Sequence, residues 1–164
     1  MARKSSAGAH QPKAAAYSLR DHRPADFDQL WRIDQQCFTS GIAYSREELA
    51  HYIDHPGAFT LVAESPEAGI LGFLVAQKLK RGTGHIVTID VLPEARGEGV
   101  GSQLLSAAEA RLRAAGCRAV LLETAVDNDP AIRFYKRHDY FVVKIVPRYY
   151  MGKLDALLMA KKLD

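Results

Sequence analysis

Cysteine is scarce in this chain. Only Cys37 and Cys117 occur, far apart and without paired spacing. That rules out a disulfide framework and offers no cysteine-based zinc site, so both read as core residues and a reducing, cytoplasmic setting is expected. Long apolar runs are missing too: none approaches the roughly 18 residues that span a bilayer. The opening "MARKSSAGAHQPKAAA" lacks the apolar stretch of a secretory signal, and no membrane association is expected. Nor is there a surplus of one charge in the body of the chain. The formal net charge of +3 equals what Arg3, Lys4 and Lys13 contribute, in an opening stretch without acids. From Tyr17 onward bases and acids balance, which is a poor basis for nucleic-acid binding. Internal repeats and Pro/Gly/Ser-rich linkers are also absent.

What is present is an ordinary globular composition, 48% hydrophobic and 25% charged over 164 residues. Residues 1–16 read as a flexible basic tail and residues 17–164 as a single domain, long enough to bury a core. A short strand opens the domain. A helix follows with Phe27, Leu30, Ile33 or Asp34, and Cys37 on one stripe. "YSREELAHYI" predicts a second helix, capped by Ser45 with Glu48 completing a capping box. "TSGIAY" is the loop between them. "AFTLVAE", "GILGFLVAQKL" and "HIVTIDVL" predict a meander of strands. In the last of these, strict alternation puts Val87, Ile89 and Val91 on one face and Ile86, Thr88 and Asp90 on the other.

"SQLLSAAEARLRAAG" is the clearest helix. Leu104, Leu105, Ala108 and Leu112 form its buried stripe, Glu109 can pair with Arg113, and Gly116 ends it. The strand "AVLLETA" follows, so a right-handed parallel crossover is expected. A further helix, "DNDPAIRFYKRHDY", has Asp129 as cap and Pro130 at its first position. "FVVKIV", a loop "PRYYMGKLD" and the strand "ALLMAKKL" close the chain. The expected fold is α/β of the α+β type: a mixed, mostly antiparallel sheet with flanking helices and one βαβ unit.

Between strand and helix lies "RGEGVGS", Arg96 to Ser102. Glycines at 97, 99 and 101 strip side chains from the loop ahead of a helix whose first amides are unpaired and carry partial positive charge. Such a loop can close around a phosphate, with Arg96 adding a charged hydrogen bond. A P-loop is excluded, because Ser102-Gln103 stands where Lys-Ser/Thr is needed. A dinucleotide fold fits poorly. Five residues separate the strand from Gly97, Ser102 replaces the third glycine, and too little chain remains after Glu123.

"DVLPEARGEGVGSQLL" followed by "LLETAVDNDPAIRFYKRHDYF" resembles the GNAT superfamily of acetyl-CoA-dependent N-acetyltransferases. Its cofactor signature R/Q-x-x-G-x-G/A is met by Arg96, Gly99 and Gly101. Its Asn with a downstream A-x-x-x-Y is met by Asn128, Ala131 and Tyr135. Arg148, Tyr149, Tyr150, Asp155, Ala156 and Met159 add a likeness to ribosomal-protein alanine and related N-terminal acetyltransferases.

The resemblance implies direct acetyl transfer from acetyl-CoA to an amine. The main chain of Gly97, Glu98, Gly99, Val100, Gly101 and Ser102 would grip the pyrophosphate. The edge at Ile89, Asp90 and Val91, with Asn128, would hold the pantetheine arm. Glu123, partly desolvated on a face shared with Leu121 and Ala125, would be the base, and Tyr135 the acid that meets the leaving thiolate. Asp90 departs from the small or apolar residue often found in relatives. It is left open between sharing the base role, recognising the ammonium and pairing with a cation. Phe38, Ile42, Tyr44 and Tyr149 would wall the acceptor. Asp139, where relatives usually have glycine, suits a left-handed turn. His85 and His138 read as structural, and no metal is expected. A protein or peptide N-terminus is the favoured acceptor. A small amine, or a non-catalytic acyl-CoA sensor, stays open, as does the choice of monomer or homodimer.

Overall fold

The computed structural model describes residues 16–164; the expected basic tail, apart from its last residue, lies outside the described residues. The strands are β1 (Ser18–Asp21), β2 (Ala58–Ser65), β3 (Gly69–Lys78), β4 (Thr83–Val91), β5 (Ala119–Ala125), β6 (Phe141–Tyr150) and β7 (Leu154–Lys162). They form one sheet in the order β1-β2-β3-β4-β5-β7-β6. Every neighbouring pair is antiparallel except β4 and β5. Helix α3 (Val100–Ala114) makes the parallel crossover between those two, as expected. The other helices are α1 (Phe27–Cys37), α2 (Arg46–Asp54) and α4 (Asp129–Arg137).

Alternation along the strands builds a core on each face. Leu61 and Ala63 of β2 join the core under α3, with Leu104, Leu105, Ala108 and Leu112. Val62, Phe73 and Val75 face the other way and receive Leu30 and Ile33 of α1 and Leu49 and Ile53 of α2. Each of these large side chains contributes roughly 1.5–3 kcal/mol by leaving water.

Strict alternation fails in β4. Thr88 lies opposite Val75 and Ile86 opposite Ala76, so Val87 is an extra residue, a β-bulge. The bulge resets the phase. Ile86, Ile89 and Val91 all pack with the α3 core, whereas Val87 joins the α1/α2 core. The expected grouping of Val87 with Ile89 and Val91 is therefore corrected.

Other local expectations are corrected as well. Glu109 does not pair with Arg113. It sits on the buried flank of α3, where it accepts hydrogen bonds from the Tyr140 hydroxyl at 2.9 Å and Lys161 Nζ at 2.8 Å. The loop drawn over residues 147–155 is mostly strand. β6 runs through Tyr150, with a register break after Val146 and Arg148 at φ +53°. Asp155 Oδ1 steadies that break by accepting from the Arg148 amide at 2.8 Å. Asn128, not Asp129, caps α4, and Pro130 follows in the first turn. At α2 only the Ser45 half of the capping box forms, its hydroxyl accepting from the Glu48 amide at 3.1 Å. Asp139 does take the left-handed conformation, at φ +69°.

Candidate active site

β4 and β5 are paired only where Thr83–His85 meet Ala119–Leu121. Beyond that point the strands part, and the bulge at Val87, two residues on, adds local twist to β4. A cleft opens in the gap. One half holds about 510 Å³ and the other about 320 Å³. Cys37, Phe38, Ile89, Asn128, Ala131 and Tyr135 line both halves and join them into one passage through the sheet.

The larger half is floored by the glycine loop. Gly97 and Gly99 adopt φ +79° and +86°, and a Cβ on either would meet nothing within 4 Å. They serve conformation and leave open space above the main chain. α3 then starts without any side-chain cap, leaving its first amides to a ligand. An uncapped helix start, open space and left-handed glycines together fit a phosphate-bearing cofactor. Gly101 differs from them: a Cβ there would come into contact with the Phe134 ring at 3.4 Å. Arg96 Nε donates to the Val91 carbonyl at 2.9 Å, so this arginine braces the loop against β4 while lining the cleft. Ser102 Oγ lies 2.9 Å from His138 Nε2. Glu98 is half-buried and is not among the lining residues. Arg137 does line this half, a cation that the sequence reading passed over although it lies only two residues beyond Tyr135 in α4.

The smaller half holds Glu123, whose Oε2 lies 2.7 Å from His85 Nε2. The Gln77 side-chain amide reaches the other imidazole nitrogen at 3.2 Å. With that amide donating, His85 carries its proton on Nε2 and donates it to the carboxylate. His85, expected to be structural, does not itself line the cleft; it reaches the site only through its contact with Glu123. Asp127 lines this half too, an acid with no role among the expected site residues.

Of the four expected wall residues, Phe38 and Ile42 line the cleft. Tyr44 turns inward instead. Its ring centroid lies 5.2 Å from that of Tyr52, and its hydroxyl donates to the Val87 carbonyl at 3.4 Å. Tyr149 is half exposed and stacks edge-on against Tyr150, which takes the lining position. Burial, with Glu123 nearby, pushes the Tyr149 phenol up to about 12.

Tyr135 stands where the halves meet. Burial, and secondarily the charge of Asp90, raises its phenol well above the ordinary tyrosine range. Asn128 Oδ1 is committed to capping α4 through the Ala131 amide at 3.3 Å, so its side-chain NH2 is what it has to offer a ligand. Asp90 is fully buried and does not line the passage, although Ile89 and Val91 on either side of it do. Cys37, expected in the core, lies on the passage wall. Burial first, then Asp90, pushes its thiol up to about 11. Such a thiol is almost entirely protonated near neutrality and a weak nucleophile.

Among the described residues no helix is long and apolar enough to cross a membrane. Comparison with known proteins agrees with the geometry. An N-acetyltransferase of Methanocaldococcus jannaschii is 33% identical over 145 residues, covering 88% of this chain and 90% of that protein. An N-alpha-acetyltransferase of Sulfurisphaera tokodaii is 31% identical over 167 residues, covering 94% and 98%. The crystal structure of Ard1 from Thermoplasma volcanium superposes with a TM-score of 0.81 at 28% identity, over 91% of this chain and 99% of that one. The family model described as "Acetyltransferase (GNAT) family" matches residues 27–140, which include the glycine loop, Glu123 and Tyr135. A passage through a split sheet, floored by an uncapped helix start and matched along its length by that family, identifies the chain as a member of the GNAT family and an N-acetyltransferase.

Proposed function

We propose that the chain transfers an acetyl group directly from acetyl-CoA to the α-amine of a peptide or protein N-terminus. The observation that carries this reading is the two-ended passage. An anion cradle lies at one end, a carboxylate–imidazole pair at the other, and a protonated phenol between them. The bound cofactor supplies the activated acetyl thioester. The amides of residues 97–102 hold its pyrophosphate, and Arg137 adds a cation at the same end. The β4 edge and the Asn128 side chain steady the pantetheine arm. Glu123, oriented by His85, takes the proton from the incoming ammonium, directly or through a water. Tyr135 donates to the departing sulfur. The protonated Cys37 thiol on the wall argues against an acyl-cysteine step and for direct transfer.

For the acceptor, Glu123 and Asp127 suit an ammonium, and Phe38, Ile42 and Val87 suit a short apolar neighbour. Relatives named as N-alpha-acetyltransferases over nearly the whole chain support the α-amine. The test pairs thermal shift with acetyl-CoA and free-thiol release across N-terminal peptides, polyamines and aminoglycosides. Stabilisation plus peptide-dependent thiol release is expected. Turnover confined to small amines would overturn the acceptor, and binding without release on any amine would point to a sensor.

A further inference from the structure

Behind the acceptor half, on the α1/α2 side of the sheet, two carboxyl groups face each other out of contact with water. Asp34 on α1 and Asp90 on β4 are both completely buried and lie within hydrogen-bonding reach of one another. Each is only half satisfied. Asp34 Oδ2 accepts from the Tyr44 amide at 2.7 Å and Asp90 Oδ1 accepts from the Thr88 hydroxyl, while Asp34 Oδ1 and Asp90 Oδ2 have no partner among the described residues. Two ionised carboxylates in such a place repel, and their unpaired oxygens are costly. One proton held on the pair removes the repulsion and supplies the missing donor.

Asp34 also closes the loop that walls the acceptor. Its backbone carbonyl accepts from the Phe38 amide at 3.1 Å, and its side chain takes the Tyr44 amide, so both ends of residues 38–44 end on this one residue. Gln35 and Trp31 hold the Tyr44 carbonyl at 2.8 and 3.1 Å. The Cys37 thiol reaches the Val91 carbonyl at 3.4 Å and adds a second tie to β4.

We propose that Asp34 and Asp90 are positioning residues: a carboxyl–carboxylate pair sharing one proton that fastens the loop 38–44 to β4, and so sets the Phe38–Ile42 wall against Glu123. This rests on the acceptor half assigned above. The groups facing the pair are Cys37 from α1, Glu48 from α2, Thr88 from β4, Tyr44 from the loop, Tyr135 from α4 and Arg96 from the segment after β4. The Glu48 charge favours keeping the proton, and Arg96 opposes it at Asp90.

Burial and mutual repulsion raise the pair above the ordinary carboxylate range. Folding therefore takes up a proton once the pH exceeds the unfolded value of about 3.8. The pair's contribution is complete below that value and is lost as pH rises through the folded one. Asp34→Asn keeps both contacts, because its oxygen serves Tyr44 and its NH2 donates permanently to Asp90. Asp34→Ala keeps neither.

Two measurements decide the matter. In the ligand-free protein, Tm should fall with rising pH more steeply for wild type than for D34N; equal slopes would overturn proton sharing. In thiol-release kinetics, D34A should raise the peptide KM about tenfold, the size of one lost buried hydrogen bond, with the acetyl-CoA KM within about twofold. D34N should restore the peptide KM. Equal changes in both KM values, or failure of D34N to restore, would overturn positioning. Should D34A not fold, the peptide KM of D34N against wild type decides that point, with a tenfold rise counting against it. If wild type acetylates no peptide, the acceptor assignment falls instead, while the slope comparison still decides whether the proton is shared.

Discussion

His85 Nε2 lies 2.7 Å from Glu123 Oε2, across the last matched position of β4 and β5 before the strands part. A histidine at the end of a shared ladder thus aims a carboxylate into the gap that the ladder leaves. The imidazole is fixed on its far side by Gln77, so the chain sheet–amide–imidazole–carboxylate sets where a proton can be accepted.

Removing that carboxylate tests it most directly. Glu123→Gln is expected to lower kcat by about 10²–10⁴, the usual worth of a positioned base. Because Glu123 lies in the acceptor half, stabilisation by acetyl-CoA should persist. Thiol release measured against pH, beside a thermal-shift titration, checks both statements. Unchanged turnover would remove Glu123 from the mechanism.

Tyr135 carries a prediction about pH. Burial holds its phenol above the ordinary tyrosine value of about 10. The donor is therefore present throughout the neutral and mildly alkaline range, and Tyr135 should impose no loss of kcat on the alkaline side below that pH. Tyr135→Phe should lower kcat by about 10²-fold at every pH in that range without adding a limb. An alkaline fall in wild type that vanishes in Y135F would contradict the assignment.

Gly99 combines a conformational and a steric demand. At φ +86° an alanine is strained by roughly 1–2 kcal/mol, and its methyl would project into the space above the loop. Gly99→Ala is expected to weaken acetyl-CoA binding at least about tenfold by calorimetry, with a small drop in Tm. Undiminished affinity would mean that the phosphates sit elsewhere.

Tyr140 tests the core rather than the chemistry. Its hydroxyl and Lys161 together satisfy the buried Glu109 carboxylate. Tyr140→Phe should cost about 1–3 kcal/mol in urea denaturation, because one oxygen of a charged group loses its donor. The acetyl-CoA KM should stay close to wild type.

The layout of strands and helices was legible in the sequence because hydrophobic period and punctuation agree nearly everywhere. Leu104, Leu105, Ala108 and Leu112 read as a buried stripe and are one. The glycine loop was legible too, since alternating small residues ahead of a helix have few other uses. What escaped depends on contacts distant in sequence. Val87 looks like any strand valine until the register with β3 shows it to be surplus. Glu109 reads as a surface acid because its partners, Tyr140 just before β6 and Lys161 near the end of β7, lie far along the chain. His85 gives no local sign of its role, which depends on Glu123 standing on the adjacent parallel strand. The directions of Tyr44 and Tyr149 are likewise not legible locally, because nothing in the sequence beside an aromatic marks which way its ring turns.

The early end of the β4–β5 pairing has a mechanical consequence. A sheet interrupted at its middle behaves as two stiff plates joined by a short seam of three residue pairs. Any extended guest lying in the gap acts as a temporary splint between the plates. Amide exchange at residues 88–91 and 122–125 should then slow together upon occupancy, although the two stretches share no ladder of their own.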